Sequence, residues 1–186
     1  MHDHQTVPGS PATVVTDAGM LALWSPAAFA RVVDHASWEP ELLEDRDQLR
    51  HIRAGALVPV NIHSDGAFGV TVRLGSAEGR ARLTDRESAH VFLTSEPYLY
   101  RSAGLACLSG IERVSGQPWP GTVRFAVAEG DHEAVVHVID WEAEPGSVLA
   151  DGTPSADALP DFVVLLNPAT PASGPYRMET ATFEQG

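Results

Sequence analysis

The chain contains no lysine: all twelve of its basic residues are arginine. That excludes Schiff-base chemistry, the phosphate-binding lysine of P-loops and kinases, and a lysine general base. Cysteine is nearly absent as well. The single Cys107, in Leu105-Ala106-Cys107-Leu108, excludes an internal disulfide and every multi-cysteine metal site. Its apolar setting reads as a small buried hydrophobe rather than a reactive thiol. No apolar run approaches the roughly 18–20 residues of a membrane-crossing helix. Even a run such as Phe162 to Leu166 has only the length of a strand. The opening Met1-His2-Asp3-His4-Gln5 lacks the basic-then-apolar order of a signal peptide, so the expected setting is cytoplasmic.

Positive charge is scarce overall. The net charge is −13 over 186 residues, which disfavours nucleic acid and anionic membranes as partners. A basic protein or a cation suits such a surface, although acidity also serves solubility alone.

What is present points to one globular unit. Hydrophobic residues make up 44% of the chain, enough for a sizeable core. Residues 1–12, with Pro8, Gly9, Ser10 and Pro11, read as a polar tail, and 13–167 as a single β-rich domain. Residues 168–186 read as a Pro/Ala/Ser-rich tail in which Tyr176, Met178 and Phe183 are positioned to dock back. The His2-Asp3-His4 triplet could hold a stray divalent ion.

Helical signals are confined to the N-terminal third. Ser25-Pro26 predicts a helix start, with Phe29, Val32 and Val33 on one face. Trp38-Glu39-Pro40 should interrupt it, and a second short helix is expected within Glu41–Arg50. From Ala54 the period becomes two. Val58, Val60 and Ile62 share one face, then Phe68, Val70, Val72 and Leu74, and between them lies Ser64-Asp65-Gly66. Two alternating runs joined by Asp-Gly predict a β-hairpin. Pro59 inside the first run predicts an edge strand, and with it self-pairing into a homodimer. Further runs follow at Arg80–Thr84, Ala89–Thr94, Pro97–Arg101, Gly104–Val114, Thr122–Ala128, Glu133–Trp141 and Asp161–Leu166, the last buried on both faces. About eight to ten strands at such spacing predict a mainly β fold, an antiparallel β-sandwich or flattened barrel with one or two short N-terminal helices.

Catalytic motifs are missing. There is no Gly-x-Ser-x-Gly elbow, and Ser109 lacks the flanking glycine. His132 and His137 are five residues apart, not the four of a zinc-protease helix, and on a strand they face opposite ways. No cofactor-binding loop occurs among the glycines, and no cofactor is expected.

Two candidate binding features remain. If its strand continues, Asp140, Glu142 and Glu144 share one face in steps of about 6.5–7 Å, a row fit for a hard cation or an arginine-rich partner. A solvated strand end is the plainer alternative. Trp119, held between Pro118 and Pro120, either lids one end of the core or serves as an exposed anchor.

The stretch Leu49–Leu74, with Gly55, Ser64-Asp65-Gly66 and Phe68-Gly69-Val70-Thr71-Val72-Arg73, follows Thr16-Asp17, Leu21-Ala22-Leu23 and Trp38. This pattern, over residues 13–127, resembles small bacterial β-rich domains of unknown function, some associated with toxin-immunity proteins. The resemblance implies an immunity-like binder and transfers no site residues. Function therefore leans toward a non-enzymatic interaction protein that binds a basic protein. The alternative is a small-ligand- or metal-binding protein, or an enzyme, built from His63, His90, His137 and the Asp140–Glu144 segment.

Overall fold

Alternating apolar residues become ten strands among the described residues: β1 (Pro11–Thr16), β2 (Met20–Trp24), β3 (Leu57–Asn61), β4 (Gly66–Leu74), β5 (Val91–Thr94), β6 (Tyr98–Ser102), β7 (Leu105–Gly110), β8 (Val123–Ala126), β9 (Gly130–Ile139) and β10 (Phe162–Pro168). Three short helices accompany them: α1 (His35–Leu42), α2 (Asp45–Arg53) and α3 (Asp85–Ser88). These come from a computed structural model, which describes residues 8–180, 182 and 183; the His2-Asp3-His4 triplet lies outside them. None of the described helices is long and apolar enough to cross a membrane.

The strands form two sheets that do not close into a barrel. One runs β1-β4-β10-β9-β5, with β6 pairing another stretch of β9; the other runs β3-β2-β7-β8. Pairing is antiparallel except between β4 and β10, which run parallel. Leu23 and Leu108 from the smaller sheet meet Val70, Val136 and Val164 from the larger in one buried cluster. Each large side chain so buried stabilises the fold by about 1.5–3 kcal/mol. Strand β10 is buried on both faces, as its unbroken apolar run predicts. Phe162, Val164 and Leu166 face the main core, while Val163 and Leu165 join Ile139 and Leu159 in a second cluster outside the larger sheet.

The Asp65-Gly66 hairpin does not form. Strand β3 pairs with β2 in the smaller sheet, and β4 pairs with β1 and β10 in the larger. The chain reverses between the sheets instead of within one. The β1–β2 connection makes the same crossing beside it, and Gly19 locks the two together. Its carbonyl accepts the amides of Ile62 and His63, each at 2.9 Å. A β-carbon on Gly19 would stand 3.1 Å from His63 Cα, and its φ of 66° is one that glycine adopts freely. His63 itself takes a left-handed φ of 49°.

Strand β3 is an edge, and Pro59 lies on it. Its Asn61 end is covered by the C-terminal segment: Phe183 donates its amide to the Asn61 carbonyl at 2.7 Å and buries its ring in the core. Met178, by contrast, is exposed.

The helical segment also departs from expectation. Pro26–Phe29 is only a 3-10 turn, and Ser25 makes no side-chain cap. Phe29 and Val32 are buried, but Val33 is exposed. The true N-cap is Asp34, whose Oδ1 accepts the Ser37 amide at 2.9 Å while Ser37 Oγ accepts the Asp34 amide at 3.0 Å. That box starts α1, which runs through Pro40. Pro40 is the sixth of its eight residues, so it removes one i→i−4 bond, to the Ala36 carbonyl, two residues before the helix ends. Residues 80–84 form no strand. Instead Asn167 of β10 pins Ala81 from both sides, accepting its amide at 2.7 Å and donating to its carbonyl at 3.3 Å.

Candidate functional site

The carboxylate row expected after β9 does not exist. The strand ends at Ile139, and Asp140 turns the chain by capping a 3-10 turn, Trp141–Ala143, through its Oδ1 at 3.2 Å from the Ala143 amide. Glu144 leaves the row to clasp Arg86, whose Nε and Nη2 donate to its two oxygens at 2.5 and 2.6 Å. That clasp holds the Glu144 carboxyl below the usual carboxylate range. Glu142 is exposed beside a cavity of about 330 Å³ lined also by Trp141, Asp161 and Phe183. Both oxygens of Asp161 are already used there, one by Trp141 Nε1 at 2.9 Å and the other by the Gly69 amide at 2.6 Å.

The three histidines stay apart. His63 Nε2 lies 3.3 Å from Thr182 Oγ1, His90 Nδ1 lies 3.0 Å from the Arg86 carbonyl, and His137 Nδ1 lies 2.9 Å from Thr94 Oγ1. Among the described residues no three His, Cys, Asp or Glu side chains gather as metal ligands. Cys107 is fully buried, and burial pushes its thiol up to about 12, which removes it as a nucleophile.

Burial also lowers the pKa values of His137 and His51, against the opposing pull of nearby Glu87 and Glu41 respectively. Both folded values lie below 6.5, so on acidification the unfolded chain takes up these protons first. Stability should therefore be full above about pH 6.5 and fall as the pH drops below it. Thermal melts between about pH 7.5 and 5.5 should show a falling midpoint, with a shallower slope for His137→Gln. A flat profile would count against both buried histidines being neutral.

The Trp119 anchor lies where a different set of residues converges. Two segments of the smaller sheet's surroundings meet there. One is the 3-10 turn Pro26–Phe29 with the extended residues leading to α1. The other is the 3-10 turn Ile111–Arg113, which follows β7, with the loop to Trp119. They are tied twice: Trp38 Nε1 donates to the Ile111 carbonyl at 3.0 Å, and the Gly116 amide donates to the Val32 carbonyl at 2.9 Å. Trp119 itself is 53% exposed, and Val33 beside it is 72% exposed. A cavity of about 220 Å³ opens among Trp119, Trp38, Val32, Val114, Asp34 and Glu112. A second, of about 410 Å³, opens among Trp119, Ala30, Val33 and Gly116. Trp119, Val32 and Ser115 line both, so the two are one groove divided at the indole.

The rim is acidic. Asp34 and Glu112 line the smaller cavity, and Asp34 makes no ion pair among the described residues. An apolar cavity lined by two tryptophans and two carboxylates has the composition of a binding surface: aromatic anchors, apolar floor, charged rim.

Gly116 is what lets the two segments close. A β-carbon there would stand 2.7 Å from Ala30 Cα and 2.8 Å from the Phe29 carbonyl oxygen, both backbone atoms that cannot swing aside. Gly116→Ala should cost about 1–3 kcal/mol in chemical denaturation and shift the Trp119 indole resonance as the loop lifts. Unchanged stability would show that the loop does not pack as described.

Of this groove only Trp119 stands out in the sequence. Trp38 reads as a helix interruption, Val32 and Val33 as a helical face, and Asp34 carries no mark of its own. The capping box Asp34-x-x-Ser37 is the one local signal that would have placed α1 correctly and turned Trp38 toward the 111–119 loop.

No protein-family model and no curated protein sequence matches the chain. The toxin-immunity kinship expected from the pattern thus has no support in sequence. The fold, however, recurs among solved structures. It is similar to that of crocagin biosynthetic gene J. The two align with a TM-score of 0.55 at 15% identity, over 87% of this chain and 96% of that one. ComJ from Bacillus subtilis, described as an inhibitor of the DNA-degrading activity of NucA, aligns with a TM-score of 0.49 at 8% identity, over 86% and 96%. The first likeness establishes a common fold and nothing about the groove.

Proposed function

We propose that the chain is a protein-interaction module that binds a basic segment of a partner in the Trp119 groove. The observation that carries this is the coincidence in one place of an exposed tryptophan, an apolar cavity on one side of it and a mixed one on the other, and the carboxylates Asp34 and Glu112 lining the apolar one. The apolar surface supplies affinity, and the rim selects basic partners and speeds their encounter. The narrower form of the proposal is an inhibitor or immunity-like protein of the cytoplasm, which masks a basic surface without doing chemistry on it. Absence of lysine chemistry and the inert Cys107 agree with a binder.

Differential capture tests it. Wild-type protein, Trp119→Ala and the control Phe92→Ala, which alters an exposed aromatic on β5, are used as baits in extracts of the source cells. Stoichiometric recovery of a basic protein by wild type and the control, but not by Trp119→Ala, is the expected result. Identical recoveries from all three baits would contradict the proposal.

A further inference from the structure

We infer that the smaller cavity of the groove, between Trp38 and Trp119, is a receptor for one guanidinium group, an arginine side chain of the bound partner. This deepens the protein-binding proposal above and rests on it. Three features of the cavity converge on a cation. Its walls are aromatic: the indoles of Trp38 and Trp119 line it, and the His35 ring lies 6.0 Å from that of Trp38. Indole faces attract cations more strongly than other side-chain rings do. Two carboxylates line it, Asp34 and Glu112, and no arginine does. Its floor is apolar, with Val32 and Val114 both buried, which suits the methylene stem of a long cationic side chain.

The two carboxylates play unequal parts. Glu112 is occupied within the chain. Its Oε2 accepts Thr16 Oγ1 at 3.1 Å, its Oε1 accepts the Asp17 amide at 3.4 Å, and Arg113 Nε lies 3.6 Å away. Asp34 is half free: the Ser37 amide and hydroxyl both bond to its Oδ1, at 2.9 and 2.6 Å, leaving Oδ2 for an incoming donor. Size limits the occupant. About 220 Å³ is below the roughly 300 Å³ at which sites for whole small molecules begin, but it admits one side chain. A guanidinium is preferred to an ammonium because it is planar and weakly hydrated, and it stacks on an indole while its edge donates to a carboxylate.

The test uses the full chain and three small probes: Nα-acetyl-arginine amide, its uncharged isostere Nα-acetyl-citrulline amide, and Nα-acetyl-lysine amide. Binding is read from the Trp38 and Trp119 indole signals in NMR. The arginine probe should saturate at about millimolar concentration, and the lysine probe should bind several-fold more weakly. The citrulline probe should leave both signals unmoved. Asp34→Asn keeps the helix cap, since asparagine caps as well as aspartate, and should weaken the arginine probe by about fivefold or more, as should Trp119→Ala. Unaltered thermal midpoints confirm that both variants are folded. Equal binding of the citrulline probe, no effect of Asp34→Asn, or tighter binding of the lysine probe would each overturn the assignment. If the arginine probe fails while a basic partner still requires Trp119, the guanidinium site falls and the protein-binding proposal stands. If the probe binds as expected but all three baits recover the same proteins, the reverse holds.

Discussion

Glu87→Ala should destabilise the protein by about 3–5 kcal/mol in urea or guanidinium denaturation. Glu87, on α3, is 3% exposed and lies against the outer face of β4. Its two oxygens accept Nη1 and Nη2 of Arg73, each at 2.7 Å. Its Oε2 also accepts the Thr84 amide at 2.7 Å and the Thr84 hydroxyl at 3.0 Å, closing the box that starts α3. Burial alone would push this carboxyl up, but the bonds from Arg73 and Thr84 outweigh it and hold the pKa below the ordinary value. The ion pair is therefore intact at neutral pH, and its contribution is lost only as the pH falls through that depressed value. Removing the carboxylate strands a largely buried guanidinium and uncaps the turn, two costs with no compensation. The double replacement Arg73→Met with Glu87→Leu should recover much of the loss, because burying a well-made ion pair brings little over apolar packing. A loss under about 1 kcal/mol for Glu87→Ala would mean that Arg73 finds water or another acceptor.

Trp119→Ala should weaken binding to a basic partner by about thirtyfold or more, the loss of a central aromatic anchor, while changing stability by no more than about 0.5 kcal/mol. The two effects separate because of where the side chain sits. Half of its surface is already in water, and its indole nitrogen donates no hydrogen bond among the described residues. Its role in the folded chain is to line the groove. Trp38→Ala would give no such separation, since Trp38 Nε1 ties α1 to the Ile111 carbonyl. Trp119→Phe should fall between wild type and alanine. Calorimetric titration with the captured partner, alongside denaturation curves, measures both quantities. The groove rests on the smaller sheet and Glu87 on the larger, so the two replacements should combine additively in stability.

Residue patterns carry the strands well and their pairing poorly. Alternation around Val58–Ile62 and Phe68–Leu74 marks β3 and β4 because period two is a property of each segment alone. Asp65-Gly66 announces that the chain reverses but not whether the strands that follow pair with each other. Here the reversal joins opposite sheets, and the decisive contact, Gly19 against His63, lies more than forty positions apart in sequence. The unbroken run at Phe162–Leu166 is legible because both faces are buried, and no polar residue is needed to face water. The Asp140–Glu144 row fails because its pattern presumes that the strand continues, whereas the Asp140 side chain caps the Ala143 amide and turns the chain into a 3-10 turn. Trp119 between two prolines is conspicuous, but Trp38, 81 positions earlier, becomes its companion only through two 3-10 turns and the close approach at Gly116. The site is thus a tertiary product of segments that are individually plain.

The central claim is that the Trp119 groove seats a basic protein segment. Site-specific photo-crosslinking addresses it most directly. A benzophenone amino acid replaces Val33, exposed on the groove beside Trp119, in one version of the chain and Phe92 in another, the source cells are irradiated, and the crosslinked peptides are sequenced. A dominant adduct through position 33 to an arginine- or lysine-rich segment of another protein, absent from position 92 and suppressed by Trp119→Ala, is the predicted result. Adducts of equal yield from both positions, or a position-33 adduct to an acidic or uncharged segment, would contradict the claim.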